Sequence, residues 1–357
     1  MRRRLKWAGG GLSVAAGHFP AEPAHVCHKR ATEDGSMHSH SVPARPARTL
    51  CGIAVAAALL ASAATGADRY WSAPAGGWFW DSANWEGYPP PGPGDDAIFD
   101  LDTAGYTVEF AASRVSERLY VYNDGVTLDL NGESWALQGA FESVVVGYWP
   151  DDVALLTVTD GTLSGTEMLI AEDYWAIGTV SVQSGGVVDM FGAVEVGSLG
   201  DGLLEIVGGG LVACGSAHVA AEWDSVGYLT VSDGTSRLDC TGELRVGNQG
   251  EAYVELSNGG QADVGGDVIV AHEWESDAYL TVADAGSRLD VGGAVTVGRD
   301  GFGSMSILDG GLLRSGAGSV GSSDDAEGAV DRPARRGRSA RPPGAFPGLL
   351  PAGAALR

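Results

Sequence analysis

The sequence predicts an all-β fold, a parallel β-solenoid (β-helix) with coils of about 25 residues, and three observations carry this prediction. Short strand-like runs that end in valine or isoleucine and a small residue recur between residues 144 and 321. A run with strict alternation of apolar and polar residues follows each of them. Glycine-rich turns separate the runs, and glycine accounts for 55 of 357 residues, about twice its usual share. Because crossovers between parallel strands are predominantly right-handed, a right-handed solenoid is expected.

The small residue that ends each first run returns every 23–27 residues. The eight positions are Gly147, Ala171, Gly197, Ala220, Gly247, Ala271, Gly298 and Gly321. Two segments that are 51 residues apart, Tyr228–Asp239 and Tyr279–Asp290, are identical at nine of twelve positions. A β-propeller blade needs about 40–50 residues, so this shorter period favours a solenoid.

The alternating second run of each coil carries a pair of apolar residues that should face inward. The seven pairs are Leu156/Val158, Val180/Val182, Leu204/Ile206, Leu229/Val231, Val254/Leu256, Leu280/Val282 and Met305/Ile307. A glycine-rich turn follows, and a third short run closes the coil. Because a single coil cannot bury its apolar face, strands of neighbouring coils should stack in parallel and in register, about 4.8 Å apart.

Composition divides the chain into five predicted parts. They are an N-terminal extension (1–36), a signal peptide (37–67), a Trp-rich cap with the first degenerate coils (68–142), the solenoid repeats (143–330) and an Arg/Pro-rich tail (331–357). The tail is interpreted either as disordered or as out of frame. Since such a tail would cap the last coil poorly, self-association through that coil is expected.

The predicted signal peptide rests on an apolar run that follows Arg45 and Arg48 and ends in small residues. A transmembrane anchor is the alternative, but a run this short and this rich in alanine favours a cleaved signal. Met37 offers a start for a signal of ordinary length. The sequence therefore predicts export to the cell surface or the medium, with no stable membrane span in the mature chain.

The body of the chain is strongly acidic. Between Asp68 and Val330 there are 8 arginines, no lysine and 42 acidic residues, which gives a net charge of −34. This charge disfavours nucleic acid and anionic membrane surfaces as partners. The absence of lysine from this region also excludes lysine-dependent chemistry there, and the sequence predicts no cofactor.

The repeat units resemble the Gly-rich repeat associated with autotransporter passengers and with PEP-CTERM-sorted exported proteins. The resemblance covers about residues 143–321, and the preceding segment resembles the opening that is common in such proteins. Its matching residues are Trp71, Trp78, Trp85, Pro90 and the run Gly94–Phe99. The resemblance implies an exported β-helical protein. It implies no catalytic residues.

Three aspartates, Asp239, Asp263 and Asp290, are predicted to form an outward column on the third strands, one coil apart. Carboxylates about 5 Å apart repel one another unless a positive charge neutralises them. Arg237 and Arg288 flank the column and favour a solvated, ion-paired face. A bound Ca²⁺ is the alternative, although the calcium-binding nonapeptide of β-rolls is absent.

Cys214 and Cys240 occupy the same place in successive third strands. Stacking brings their Cα atoms within disulfide range, at about 5 Å. Neighbouring residues in register hold their Cα–Cβ bonds nearly parallel, so two buried reduced thiols are favoured over a disulfide. His218 and His272 have no third ligand at metal spacing, and no zinc site is predicted.

A row of tryptophans is predicted on the corner between the first and second strands. Its members are Trp149, Trp175, Trp223 and Trp274, and Glu222 and Glu273 precede the last two. Exposed indoles beside carboxylates can stack on sugar rings and bind sugar hydroxyl groups. The alternative is that each indole packs over the glycine-rich corner of the neighbouring coil.

These observations predict a non-catalytic, exported structural or adhesive protein. Its expected partner is an extracellular polysaccharide or the cell-surface matrix, bound along the tryptophan edge. The alternative is a polysaccharide lyase or hydrolase on the same scaffold, with Glu222 and Glu273 as the carboxylates to test. Their regular spacing makes them resemble copies of one residue more than a differentiated acid and base.

Overall fold

Twenty-seven strands and one short 3-10 helix make up the computed structural model, which describes residues 66–87, 89–322 and 327–331. The predicted extension 1–36 lies outside the described residues, as do nearly all of the predicted signal peptide 37–67 and of the tail 331–357. The described chain forms an all-β parallel β-solenoid of about ten turns without an α-helix, so the predicted fold class is confirmed. Within these residues no helix has the length and apolarity to cross a membrane.

The strands are short and follow one another around the coils in a fixed order. The N-terminal coils contain β1 (Asp68–Tyr70), β2 (Gly77–Trp78), β3 (Asp96–Phe99), β4 (Tyr106–Glu109), β5 (Arg114–Ser116), β6 (Arg118–Val121), β7 (Gly125–Asp129), β8 (Ser134–Leu137) and β9 (Val144–Val146). The middle coils contain β10 (Val153–Gly165), β11 (Met168–Ile170), β12 (Ile177–Val196), β13 (Asp201–Ile206), β14 (Leu211–Val219), β15 (Val226–Ser232), β16 (Arg237–Cys240), β17 (Leu244–Val246) and β18 (Glu251–Ser257). The last coils contain β19 (Gln261–Val264), β20 (Val268–Val270), β21 (Asp277–Val282), β22 (Arg288–Val291), β23 (Ala294–Val297), β24 (Phe302–Ile307), β25 (Leu312–Arg314), β26 (Ala317–Val320) and β27 (Glu327–Asp331). The 3-10 helix is Ser82–Asn84.

Each strand pairs with the equivalent strand one coil away, in parallel and in register. The second strands of the later coils, for example, pair in the order β13, β15, β18, β21, β24 and β27. Strands β10, β12 and β14 continue through corners, so one strand supplies two or three sides of a coil. Residues at one position of the repeat therefore lie above one another, and we call such a set a column.

The interior is filled by the inward residues of the three strand columns. All fourteen predicted apolar residues of the second strands are buried, and the most exposed of them, Ile307, is only 9% accessible. In the first coils the interior is aromatic. The Trp71 and Trp85 rings meet edge to face at 5.1 Å, and the Trp85 indole N–H donates to the Phe79 carbonyl at 2.8 Å. Burial of these side chains, at about 25 cal/mol per Å² of apolar surface, is the main force that holds the stack together.

The eight small residues that define the repeat all have a left-handed backbone. Their φ values are 77° (Gly147), 60° (Ala171), 70° (Gly197), 55° (Ala220), 72° (Gly247), 60° (Ala271), 68° (Gly298) and 63° (Gly321). This conformation turns the chain out of the first strand at each corner. Glycine adopts it without cost, whereas an alanine there is strained by about 1–2 kcal/mol.

The corners that follow these residues are of two lengths. The length of the corner in the next coil explains whether a given residue is glycine or alanine. Long corners cover 147–153, 171–177, 220–226 and 271–277, and short corners cover 197–201, 247–251 and 298–302. Gly147, Gly197 and Gly247 each precede a coil with a long corner, whereas the three alanines precede coils with short corners. At Gly197 an added Cβ would lie 2.4 Å from the Val226 carbonyl oxygen, at the end of the next long corner.

We therefore predict that Gly197→Ala destabilises the fold by about 2–4 kcal/mol, since left-handed strain and backbone overlap add. The matched control is Ala220→Gly, the next residue of the same column, which should change the free energy of unfolding by less than about 1 kcal/mol. Urea denaturation followed by circular dichroism measures both. Equal effects of the two substitutions would contradict the role given to corner length.

Candidate functional site

The long corners share one backbone path, which fixes the position of every side chain on them. In the two corners that contain Trp223 and Trp274, the N–H groups of Ser225 and Ser276 donate to the carbonyls of Glu222 and Glu273, both at 3.3 Å. The same buried serine hydroxyls donate to the same carbonyls at 2.6 and 2.8 Å. Each corner is thus a closed turn that lifts its tryptophan away from the core.

The four predicted tryptophans all lie exposed on long corners, but they occupy three different positions of the turn. Every long corner has a second left-handed residue at the same place: Asp151, Trp175, Asp224 and Glu275. Trp223 and Trp274 directly precede that residue, Trp175 is that residue, and Trp149 lies one position earlier than the pair. Only Trp223 and Trp274 therefore form a column.

Trp223 and Trp274 meet directly although they belong to coils that are two apart. Their ring centroids are 5.9 Å apart at an interplanar angle of 70°, and the side chains stay 40% and 60% exposed. The expected separation for two coils was about 10 Å. The rings are closer because the coil between them has a short corner, Gly247–Glu251, which leaves room for the indoles to lean together.

A concave pocket of about 250 Å³ lies beside Trp223. Its polar side chains come from three successive coils: Asp224, Ser225, Gln249, Glu251, Glu275 and Asp277. Trp223 lines this pocket together with Gln249 and Gly250 of the neighbouring short corner. Two fifths of the Trp223 surface stay exposed.

The residues Glu222 and Glu273 differ in their surroundings. Glu222 is exposed, whereas the Glu273 carboxylate lies 3.2 Å from the His272 ring and its side chain is 44% accessible. They are equivalent residues two coils apart, and neither lines the pocket beside Trp223. The two carboxylates therefore do not converge on one substrate atom.

The aspartate column of the third strands lies as predicted, with Asp239, Asp263 and Asp290 in register. Arg237 contacts the Asp239 carboxylate and lies 2.7 Å from that of Asp263. Arg288 lies 2.7 Å from Asp290 and 3.5 Å from Asp263. Arginines thus meet every carboxylate of the column, and in the described residues no group of three or more His, Cys, Asp or Glu side chains has the arrangement of a metal site.

Cys214 and Cys240 are partners in register and point into the core, where they are 4% and 3% exposed. Both are free thiols, and their sulfur atoms lie 3.0 Å apart. Contact with Cys214, together with burial, raises the pKa of the Cys240 thiol well above its usual value. The Cys240 thiol therefore stays protonated at neutral pH.

Three tyrosines of the second strands, Tyr228, Tyr253 and Tyr279, form a stack on the outer face. Successive rings are 5.1 Å apart and within 8° of parallel. The ring faces that meet within the stack are covered, so the stack presents mainly ring edges to solvent. It stabilises the face of the sheet and offers little surface on which a sugar ring could lie.

Sequence reasoning missed a network of ionisable side chains on the outer face of the first strands. Glu195 accepts a hydrogen bond from the Ser198 hydroxyl at 2.8 Å, and its carboxylate lies 3.8 Å from the His218 ring, which lowers the pKa of Glu195. One coil earlier, burial and the charges of nearby carboxylates raise the pKa of Glu172 to about 7. Nothing in the local sequence distinguishes these glutamates, because their surroundings come from residues of other coils.

Searches against protein-family models, curated proteins and solved structures find no match for this chain. The resemblance to the repeats of exported proteins therefore stays a prediction. What the structure establishes of it is the β-solenoid fold.

The raised pKa of Glu172 makes stability depend on pH. Because the folded state holds this proton more tightly than the unfolded state, its contribution favours folding at low pH and is lost as pH rises from about 4.5 to about 7. We expect Glu172→Gln to remove this loss. The variant should be more stable than the wild type by about 1–2 kcal/mol near pH 8, a value discounted for partial exposure, and similar to it near pH 4.5.

Melting temperatures of both proteins across this range measure the difference. The pKa of His272 is lowered mainly by burial, so its titration raises stability as pH rises and opposes the effect of Glu172. The difference between wild type and variant therefore isolates the contribution of Glu172. A constant difference between the two proteins at all pH values would contradict the assignment.

The thiol pair is tested by counting reactive thiols. In a Cys27→Ser/Cys51→Ser protein purified without reductant, we expect no labelling of the folded chain, since both remaining thiols are buried. After denaturation we expect two labelled thiols. Two unreactive cysteines in the denatured chain would instead show that Cys214 and Cys240 form a disulfide.

Proposed function

We propose that this chain is an exported, surface-associated structural or adhesive β-solenoid that binds polysaccharide at the Trp223–Trp274 corner. One observation carries the proposal: the exposed Trp223 indole contacts a second exposed indole, Trp274, and also lines a concave pocket with polar residues. Exposed aromatic groups of this size on a regular scaffold are typical of binding surfaces.

The chemistry of the corner suits a sugar. The face of an indole packs against the C–H groups of a pyranose ring, and carboxylate and amide oxygens accept hydrogen bonds from its hydroxyl groups. The closed turns hold Trp223 and Trp274 on a rigid backbone, so little conformational entropy is lost on binding. The long axis of the solenoid also gives an extended polymer a surface to follow.

The predicted export supports an extracellular partner. The apolar run that precedes the solenoid resembles a signal peptide, and the acidic body disfavours nucleic acid and anionic lipid surfaces.

A non-catalytic role is part of the proposal. Catalysis of glycan cleavage needs two carboxyl groups with different environments at a defined separation across one bond. Glu222 and Glu273 are copies of one repeat position and face no common pocket. The experiment below distinguishes this role from glycan cleavage.

The test is binding of the purified chain to a panel of polysaccharides, by sedimentation with insoluble polymers and by affinity electrophoresis. We expect Trp223→Ala/Trp274→Ala to weaken binding at least about tenfold. Trp175→Ala is the matched control, because this indole is 78% exposed on the same edge but lies outside the pair.

Equal binding by the double variant and the wild type would contradict the assigned site. Reducing-end release by the wild-type protein that is lost in Glu222→Gln/Glu273→Gln would overturn the non-catalytic role.

A further inference from the structure

The pocket beside Trp223 is rich in acidic residues. Four carboxylates line it, those of Asp224, Glu251, Glu275 and Asp277. Gln249 lines the same pocket, but its side-chain oxygen is buried, so the acidic residues are the groups that a ligand would meet.

Among the described residues, no arginine balances the charge of the pocket. Glu251 and Asp277 are partners in register on neighbouring coils, as Asp239 and Asp263 are on the third strands. The third-strand carboxylates have arginine partners, whereas none of the four pocket carboxylates forms a salt bridge with a described residue. Like charges at this spacing raise the free energy of the free protein, and a bound cation would lower it.

The indole that borders the pocket suits the same kind of ligand. The face of a tryptophan ring attracts an ammonium group by about 0.5–2 kcal/mol, and it does so more strongly than tyrosine or phenylalanine. A metal ion would not use this surface, because hard cations require several oxygen ligands at fixed distances. The described residues contain no cluster with that arrangement.

The size of the pocket limits the ligand further. A volume of about 250 Å³ lies below the range of about 300–1,000 Å³ that is typical of pockets for drug-sized molecules. The pocket is also open at the surface beside the exposed edge of Trp223, so a unit of a longer chain can enter from the side. These dimensions favour one sugar unit of a polymer.

We infer that the pocket recognises a glycan that carries primary ammonium groups, an amino-sugar polymer, with the ammonium group held between Trp223 and the carboxylates. The inference rests on the proposed function, since it specifies the class of polysaccharide bound at the same corner. The polymer's ammonium groups supply the positive charge that the pocket carboxylates do not receive from arginines of the described residues. A polyuronate, which brings more negative charge, is excluded from the pocket.

The experiment compares three soluble probes by calorimetry: a glucosamine hexamer, the N-acetylated hexamer and an oligogalacturonate of the same length. We expect the glucosamine hexamer to bind at least about tenfold more tightly than the N-acetylated one. This preference should shrink in about 0.5 M sodium chloride, because salt screens exposed charges. No binding of oligogalacturonate is expected.

The pocket variant is Glu275→Gln/Asp277→Asn, which should lose the preference for the glucosamine hexamer and keep its affinity for the N-acetylated one. The control Asp160→Asn/Asp189→Asn removes the same charge at exposed positions outside the pocket, and should keep the preference. Circular dichroism and a melting curve show that each variant folds.

The outcomes separate the two proposals. Equal affinity of the wild type for the two hexamers would overturn the inference and leave glycan binding intact. A preference that survives in the pocket variant, or that is lost in the control as well, would show that net charge and not this pocket selects the ligand. Failure to bind any glycan would overturn the proposed function itself.

Discussion

In-register stacking of parallel coils is the constraint on which the other features of this molecule depend. Because each strand pairs with its copy one coil away, a residue at any position has its equivalents directly above and below it. Inward columns must then be apolar throughout. Corner residues must leave space for the next coil, which is why Gly197 cannot carry a Cβ while Ala220, beneath a short corner, can.

The same constraint determines which groups the outward side chains contact. Aromatic rings in one column stack on each other, as Tyr228, Tyr253 and Tyr279 do. The ring faces that meet in this way are not available to a ligand. Carboxylates in one column require positive charges, which Arg237 and Arg288 provide on the third strands. The Trp223 corner departs from both patterns. Long and short corners alternate there, so its indoles remain exposed. Its carboxylates have no arginine partner among the described residues.

Much of this architecture could be predicted from the sequence, and the rest could not. Period-two alternation identifies residues such as Leu229 and Val231 as core because a strand has two faces. The aspartate column follows from the same alternation. The four tryptophans do not form one column, because the position of a side chain within a corner depends on which residues have a left-handed backbone. Trp175 itself is one of these residues. The environments of Gln249 and Glu172 could not be predicted from the sequence, because residues of other coils supply them.

The sequence by itself determined the fold class, the length of the coil and the identity of the inward residues, because these depend on spacing along one chain. The tertiary structure alone decided which outward residues meet. Trp223 and Trp274 touch only because a short corner lies between them, and the pocket beside Trp223 draws its acceptors from three coils. Contacts of this kind depend on distances across coils, and a short segment of sequence carries no record of them.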